Sequence, residues 1–202
     1  MPTTWLDGLV RQTRRVGRFP YPHRAAFLLD NPVRKWMSKP EAVIEALELD
    51  GTERVLELGP GPGFYSVEIA RRLDSGSLHL FDVQPEMLDK ARGKLAGGGF
   101  HDVCFHVGDA GDGISLPDNS FDVAFLAAVI GEVPDRSACI RSIGRILRAG
   151  GLLVFVEGFP DPDRLGVQEL RDLVESEGFV LQSVSGNAWR DVVKFRSLPT
   201  PT

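Results

Sequence analysis

The ten residues VLELGPGPGF, positions 55 to 64, constrain the fold more than any other stretch of this chain. A short apolar run of strand character passes into Gly59, Gly61 and Gly63, and then into a segment of helical period. Strand, glycine turn and helix in that order serve nucleotide-type ligands. Glycines at alternate positions remove Cβ atoms where a ligand must touch backbone, in a crevice at the carboxyl ends of parallel strands. The spacing is not the G-x-G-x-x-G of dinucleotide folds, whose third slot falls here on Phe64 while glycine stands one residue early, at Gly63. Pro60 and Pro62 have no N–H to offer a pyrophosphate, and no Lys-Ser/Thr pair follows the loop. A phosphate-free adenosine compound fits better.

Around this loop the chain alternates β-branched or apolar runs with helical segments, which predicts βαβ units over a mostly parallel sheet. Helices are expected over PEAVIEALEL from Pro40, over FYSVEIARRL, over PEMLDKARGKL up to the Gly97-Gly98-Gly99 stop, over a segment whose Ile140, Ile143 and Leu147 share a face, and over Val167 to Glu177. Strands are expected at 54–58, 78–82, 103–107, 122–127, 152–157, near 179–185 and at 189–196, the last two forming an antiparallel hairpin about Gly186-Asn187. With 202 residues, two cysteines 35 positions apart and no apolar run of membrane-spanning length, the chain reads as one core with reduced thiols, located in the cytoplasm and with no stable membrane insertion. The net charge of −5 argues against nucleic acid as the main partner.

Three acidic residues sit at successive strand ends. Glu57, just before the loop, repels an anion and suits a cation bearing an ammonium or a sulfonium; S-adenosylmethionine carries both. Asp82 ends the second strand 19 residues after Gly63, where a carboxylate accepts hydrogen bonds from ribose hydroxyls. Asp109, beside Ala110, is placed to accept from the adenine amino group, with Val83 and Met87 as apolar walls for the ring. Singly, each aspartate reads equally well as a cap or turn residue.

At this point the sequence resembles the class I S-adenosylmethionine-dependent methyltransferases over about residues 40 to 196. The anchors are VLELGPGPGF, LFDVQPEML, GDA at 108 to 110, LPDNSFDVAFL and LRAGGLLVFVE. The resemblance implies an α/β fold, a doubly wound seven-stranded sheet of order 3-2-1-4-5-7-6 with strand 7 antiparallel and helices on both faces. It further implies that Pro60 and Ala127 border the cofactor with the loop glycines, and that Ala127 to Glu132 line the methionine and acceptor side. Where many members carry histidine, this chain has Gly131.

The strand-four sequence AAVIG lacks the Asn/Asp-Pro-Pro-Tyr/Phe string of enzymes that methylate nucleobase or glutamine amino groups, and no His/Asp/Asn cluster offers a metal site. A small, partly apolar acceptor remains. Tyr21, His23, Arg24, Glu132, Glu157 and Asn187 are the polar candidates beside it, with His23 and Glu132 taken as the catalytic pair and Tyr21 placed over the cofactor. Glu132 also reads as a turn cap and Glu157 as a solvated loop side chain; the sequence does not choose. His79 and His106 read as structural and His101 as exposed.

Residues 1 to 39 carry eight basic and two acidic side chains, a net +6, which leaves −11 on residues 40 to 202. The division predicts a basic extension on a Rossmann-like body that is a monomer or homodimer; it reads as a helix on an anionic membrane, as a dimer contact or, the reading favoured, as a lid that closes over the pocket. Rival readings are a nucleotide-dependent oxidoreductase and a methyltransferase-like module that binds without catalysis.

Overall fold

The computed structural model describes residues 40–158, 161, 163–187 and 189–198. Seven strands form one sheet in the order β3-β2-β1-β4-β5-β7-β6: β1 Arg54–Leu58, β2 Ser77–Asp82, β3 Val103–Val107, β4 Phe121–Ala127, β5 Leu147–Gly158, β6 Phe179–Asn187 and β7 Arg190–Ser197. Strands β1 to β5 pair in parallel, and β7 runs antiparallel between β5 and β6, as the resemblance implied. The described helices are α1 Pro40–Glu45, α2 Ser66–Ala70, α3 Pro85–Gly97, α4 Arg136–Ile146 and α5 Val167–Glu175.

Parallel strands buried on both faces read as nearly continuous apolar runs, and β1, β4 and β5 do so because each face carries its own core. One face packs Leu56, Leu126, Leu153 and Phe155 against Ile140 and Ile143 of α4 and Leu170 and Val174 of α5. The other packs Val55, Phe125 and Val154 against Val43 and Ile44 of α1, Ile69 of α2, and Leu88 and Ala91 of α3.

Four expected features differ from the structure, chiefly through partners distant in sequence. The first helix ends at Glu45 rather than running to residue 49: hydrogen bonds Ala46 N→Val43 O and Leu47 N→Ile44 O tighten it, and Glu48 takes a positive φ of 55°. Its side chain there pairs with Lys194 at 2.5 Å and with Arg196. The second helix shrinks to Ser66–Ala70, because the amides of Asp74, Ser75 and Gly76 all donate to Gly51 O at 2.9 to 3.0 Å and pull the chain off the helical path. Leu147 is buried, yet it is the first residue of β5, paired with Phe121, and not the last turn of α4. The hairpin link also falls after Asn187, which pairs with Arg190.

The core assignment has a measurable consequence. Ile143→Ala, at a position with no exposed surface, is expected to lower unfolding free energy by about 2–5 kcal/mol. Arg141→Ala, which removes a largely exposed ion pair with Glu177, is expected to cost under about 1 kcal/mol. Urea denaturation of both variants checks the contrast.

Candidate functional site

The turn that leaves β1 is held by two backbone hydrogen bonds. Gly59 N donates to Phe81 O at 2.8 Å, tying the loop to β2, and Gly63 N donates to Pro60 O at 3.0 Å. Gly59, Gly61 and Gly63 have φ of 63°, 54° and 80°, a region that glycine enters at no steric cost. Their surroundings differ. A Cβ on Gly59 would stand 2.4 Å from Val129 Cγ2, and one on Gly63 would stand 3.1 Å from the Ala91 backbone of α3. A Cβ on Gly61 would meet nothing within 4 Å among the described residues. Two glycines thus serve close packing, and the middle one faces open space.

Asp82 sits beside that space. It is 8% exposed, its Oδ1 accepts from Gln84 N at 2.8 Å, and the amides of Gly61 and Val83 also donate to it. Burial raises its pKa against those bonds. Next to it Val83 is 46% exposed, an apolar side chain open at a strand end, whereas Met87 of α3 is 2% exposed. Asp109 accepts from Gly111 N at 2.8 Å, and Ala110 is buried against the first core. Glu57 is 2% exposed beneath the loop, its Oε2 accepting from Ser66 Oγ at 2.6 Å. Burial, with a smaller contribution from the Asp82 charge, pushes its pKa up to about 7.

After β4 the chain turns back over the glycines. Ala128 has φ of 57°, which costs about 1–2 kcal/mol for a residue bearing a Cβ, and its N–H donates to Val156 O at 2.9 Å. Strain of this kind gathers at functional sites, and nothing in the sequence marks it. Gly131 is compelled by packing: a Cβ there would stand 2.0 Å from Asp163 O, so the backbone after β5 occupies the place a side chain would take. The Glu132 amide donates to Val129 O at 2.9 Å, and α4 follows with its own N-cap. That cap is Asp135, whose Oδ1 accepts from Ala138 N at 2.9 Å.

Glu157 is not solvated: it is 1% exposed, and Oε2 accepts from Leu165 N at 3.1 Å. Burial, reinforced by Asp161, pushes its pKa up to about 8 against the opposing charges of Arg164 and Arg136. Asn187 belongs to the β6–β7 turn, accepting from Trp189 N. His79 is buried, receiving Arg54 Nε on its Nε2 and facing His106 across 3.0 Å, while His101 is exposed. Tyr21, His23 and Arg24 lie outside the described residues. A polar hollow lined by Glu48, Glu53, Asp122, Arg148 and Arg196 lies at the amino ends of the strands, opposite the glycine loop, and ion pairs such as Arg148–Asp122 cross it. Among the described residues no cluster of His, Cys, Asp and Glu could hold a metal, and no helix is long and apolar enough to cross a membrane.

A family profile described as "Methyltransferase domain" matches residues 49–189. The chain belongs to that family. It is 31% identical over 121 residues to a ubiquinone/menaquinone biosynthesis C-methyltransferase UbiE of Shewanella sp. (strain W3-18-1), covering 59% of this chain and 48% of that protein. The counterpart of Vibrio campbellii is 32% identical over 106 residues, covering 52% and 41%. This chain therefore spans about half the length of the curated relatives it matches. Among solved structures, a SAM-dependent methyltransferase from Aquifex aeolicus superposes with a TM-score of 0.81 over 89% of this chain and 100% of that one, at 23% identity. The [4+2]-cyclase SpnF superposes with a TM-score of 0.70 over 79% and 80%, at 18% identity. The fold is that of the class I methyltransferases, whose methyl donor is S-adenosylmethionine.

The buried acids make stability depend on pH in a definite direction. Glu157 and Glu57, ordinarily near 4.5 and raised in the fold to about 8 and about 7, contribute fully in acid and lose that contribution as pH rises through those values. His79, lowered from 6.5 to about 4, acts only below pH 6.5, where its contribution is lost on acidification. Stability is therefore expected to fall between pH 6.5 and 8.5, and Glu157→Gln is expected to flatten the fall. Urea midpoints at pH 6.5, 7.5 and 8.5 for both proteins test this.

Proposed function

We propose that this chain transfers a methyl group from S-adenosylmethionine to a small-molecule acceptor, and that the acceptor atom is carbon. The observation that carries the reading is the open space at Gly61, bounded by the amide-held Asp82 and the exposed Val83. A ligand without phosphates suits that space, since Pro60 and Pro62 remove two amides from its border. The C-methyltransferase names of the Shewanella and Vibrio relatives support carbon. When bound, S-adenosylmethionine supplies an electrophilic methyl on a sulfonium, so orientation and exclusion of water carry much of the rate.

In this reading Gly59, Pro60, Gly61 and Gly63 form the wall against the methionine portion, and Glu57 lends negative charge from beneath. Asp82 accepts from the ribose hydroxyls, Val83 covers one face of adenine with Met87 behind it, and Asp109 and Ala110 border its amino edge. Ala127 and Glu132 begin the acceptor side. Residues 1 to 39 supply Tyr21 and His23 as a lid, a role supported by the basic charge of that segment against the acidic body.

Calorimetric titration with S-adenosylmethionine is expected to show binding, weakened about 10- to 100-fold in Asp82→Ala by loss of charge-assisted hydrogen bonds. Gly61→Ala is expected to weaken it as well, by filling the open side. No binding at millimolar ligand overturns the reading, and binding without turnover over a broad acceptor panel favours the non-catalytic module. Deleting residues 1 to 24 is expected to leave a body that binds cofactor more weakly and turns over far more slowly. Full turnover at saturating cofactor and acceptor removes the lid.

A further inference from the structure

Glu157 stands on the same rim as the glycine loop. The rim is continuous in contact: Gly59 lies against Val129, the neighbouring Ala128 donates to Val156 O, and Glu157 follows Val156. Strand alternation puts Glu157 on the face of β5 that carries Phe155, whose core includes Ile130 and Leu165. Its Oε2 is held by Leu165 N, but Oε1 is buried with no hydrogen-bond partner among the described residues. A buried carboxylate oxygen without a donor is rare in a folded chain and asks for an explanation.

Charged groups approach this carboxyl from α4, from the segment after β5 and from β7. Arg136 of α4 donates to Ile130 O and Gly131 O, Asp161 and Arg164 follow β5, and Asp191 lies opposite Glu157 in register, paired with Arg164 at 3.0 Å. Asp163 contributes its carbonyl against Gly131. Arg136 and Arg164 are thus balanced by Asp161 and Asp191, so the charge of the site turns on the protonation of Glu157 itself.

We propose that Glu157 is the general base of the acceptor site, its Oε1 taking the proton of an acidic hydroxyl, a phenol or enol, on the molecule to be methylated. The proposal rests on the methyl-transfer reading above. The acceptor O–H bond breaks, the proton bonds to Oε1, and the electron pair stays on the acceptor, shared between its oxygen and the adjacent carbon. That carbon would take the methyl from the sulfonium, whose C–S bond breaks with its electron pair left on sulfur; in a phenolic acceptor the ring-carbon hydrogen then leaves as a proton and the oxygen regains one, restoring the aromatic hydroxyl. Glu157 passes from carboxylate to neutral acid, the form its burial favours, and returns the proton to solvent after turnover. Because its pKa is raised to about 8, the active carboxylate grows in as pH rises towards that value.

The full-length wild type and Glu157→Gln are to be compared with S-adenosylmethionine and hydroquinone, resorcinol and 2,4-pentanedione as hydroxylic probes, beside aliphatic amines and thiols. Glutamine keeps an oxygen for Leu165 N but cannot take a proton. On the hydroxylic probe that wild type methylates, the variant is expected to lose about 100-fold or more in kcat/KM and the alkaline-rising limb near pH 8, with S-adenosylhomocysteine affinity within about twofold. Unchanged kcat/KM in the variant overturns the proposal. So does a wild-type profile without that limb, a reading that holds even if the variant fails to fold. Turnover confined to amines or thiols, or absent on all three hydroxylic probes, overturns it as well. Absence of S-adenosylhomocysteine binding by wild type overturns the underlying reading instead.

Discussion

The arrangement at the carboxyl rim depends on the chain leaving β1 with a left-handed turn at Gly59 that has no room for a side chain. The turn is fixed by one hydrogen bond to Phe81 O and by Val129, whose methyl carbons stand where a Cβ would be. Because Val129 follows β4 and Phe81 belongs to β2, this contact sets three strand ends in mutual register. Gly63 then lets α3 approach through Ala91. The space beside Gly61 is what remains when its two neighbours are packed and it is not. A binding crevice here is a consequence of close packing around it, in keeping with interiors that leave few voids.

The same logic explains what could be read in the sequence. β1 and β3 were legible to the residue, at 54–58 and 103–107, because short apolar runs bounded by charged or glycine-containing turns leave little freedom in their ends. Glycine spacing and the acids at 57, 82 and 109 located the rim for the same reason: they are local signals. The lengths of α1 and α2 were not legible, since they are set by partners distant in sequence, Lys194 and Arg196 for Glu48 and Gly51 O for residues 74 to 76. Leu147 has the helical spacing of Ile140 and Ile143, and only its pairing with Phe121 makes it strand.

The acceptor side was less legible than the cofactor side. Gly131 reads in sequence as a missing side chain, and the structure shows a position occupied by the backbone of Asp163. The strain at Ala128 leaves no compositional trace. Glu157 looked like a solvated loop residue because it ends an apolar run next to glycine, phenylalanine and proline. Its burial comes from Leu165, Arg164 and Arg136, which approach from different elements. A signal did exist: an acid that closes the apolar run 152–156 is costly to bury unless it has a partner or a use.

The buried acids on this rim differ in how their cost is met. Asp82 is compensated by three backbone amides, so its charge can be kept in a nearly buried place and offered to a neutral hydroxyl. Glu57 has the hydroxyl of Ser66 and the disadvantage of Asp82 nearby, which leaves it balanced near neutrality, where a cation beside it would favour ionisation. Glu157 has one amide and offsetting charges, and sits above Glu57. The rim thus carries three amide donors at Asp82 of β2 and a single donor each at Glu57 of β1 and Glu157 of β5, and of these last two Glu157 holds its proton more firmly. Groups that recognise a ligand need a settled charge, whereas a group that moves a proton needs one near its tipping point. By that ordering the β2 end of the rim is built for recognition, and the β5 end is where proton transfer is least opposed by the fold.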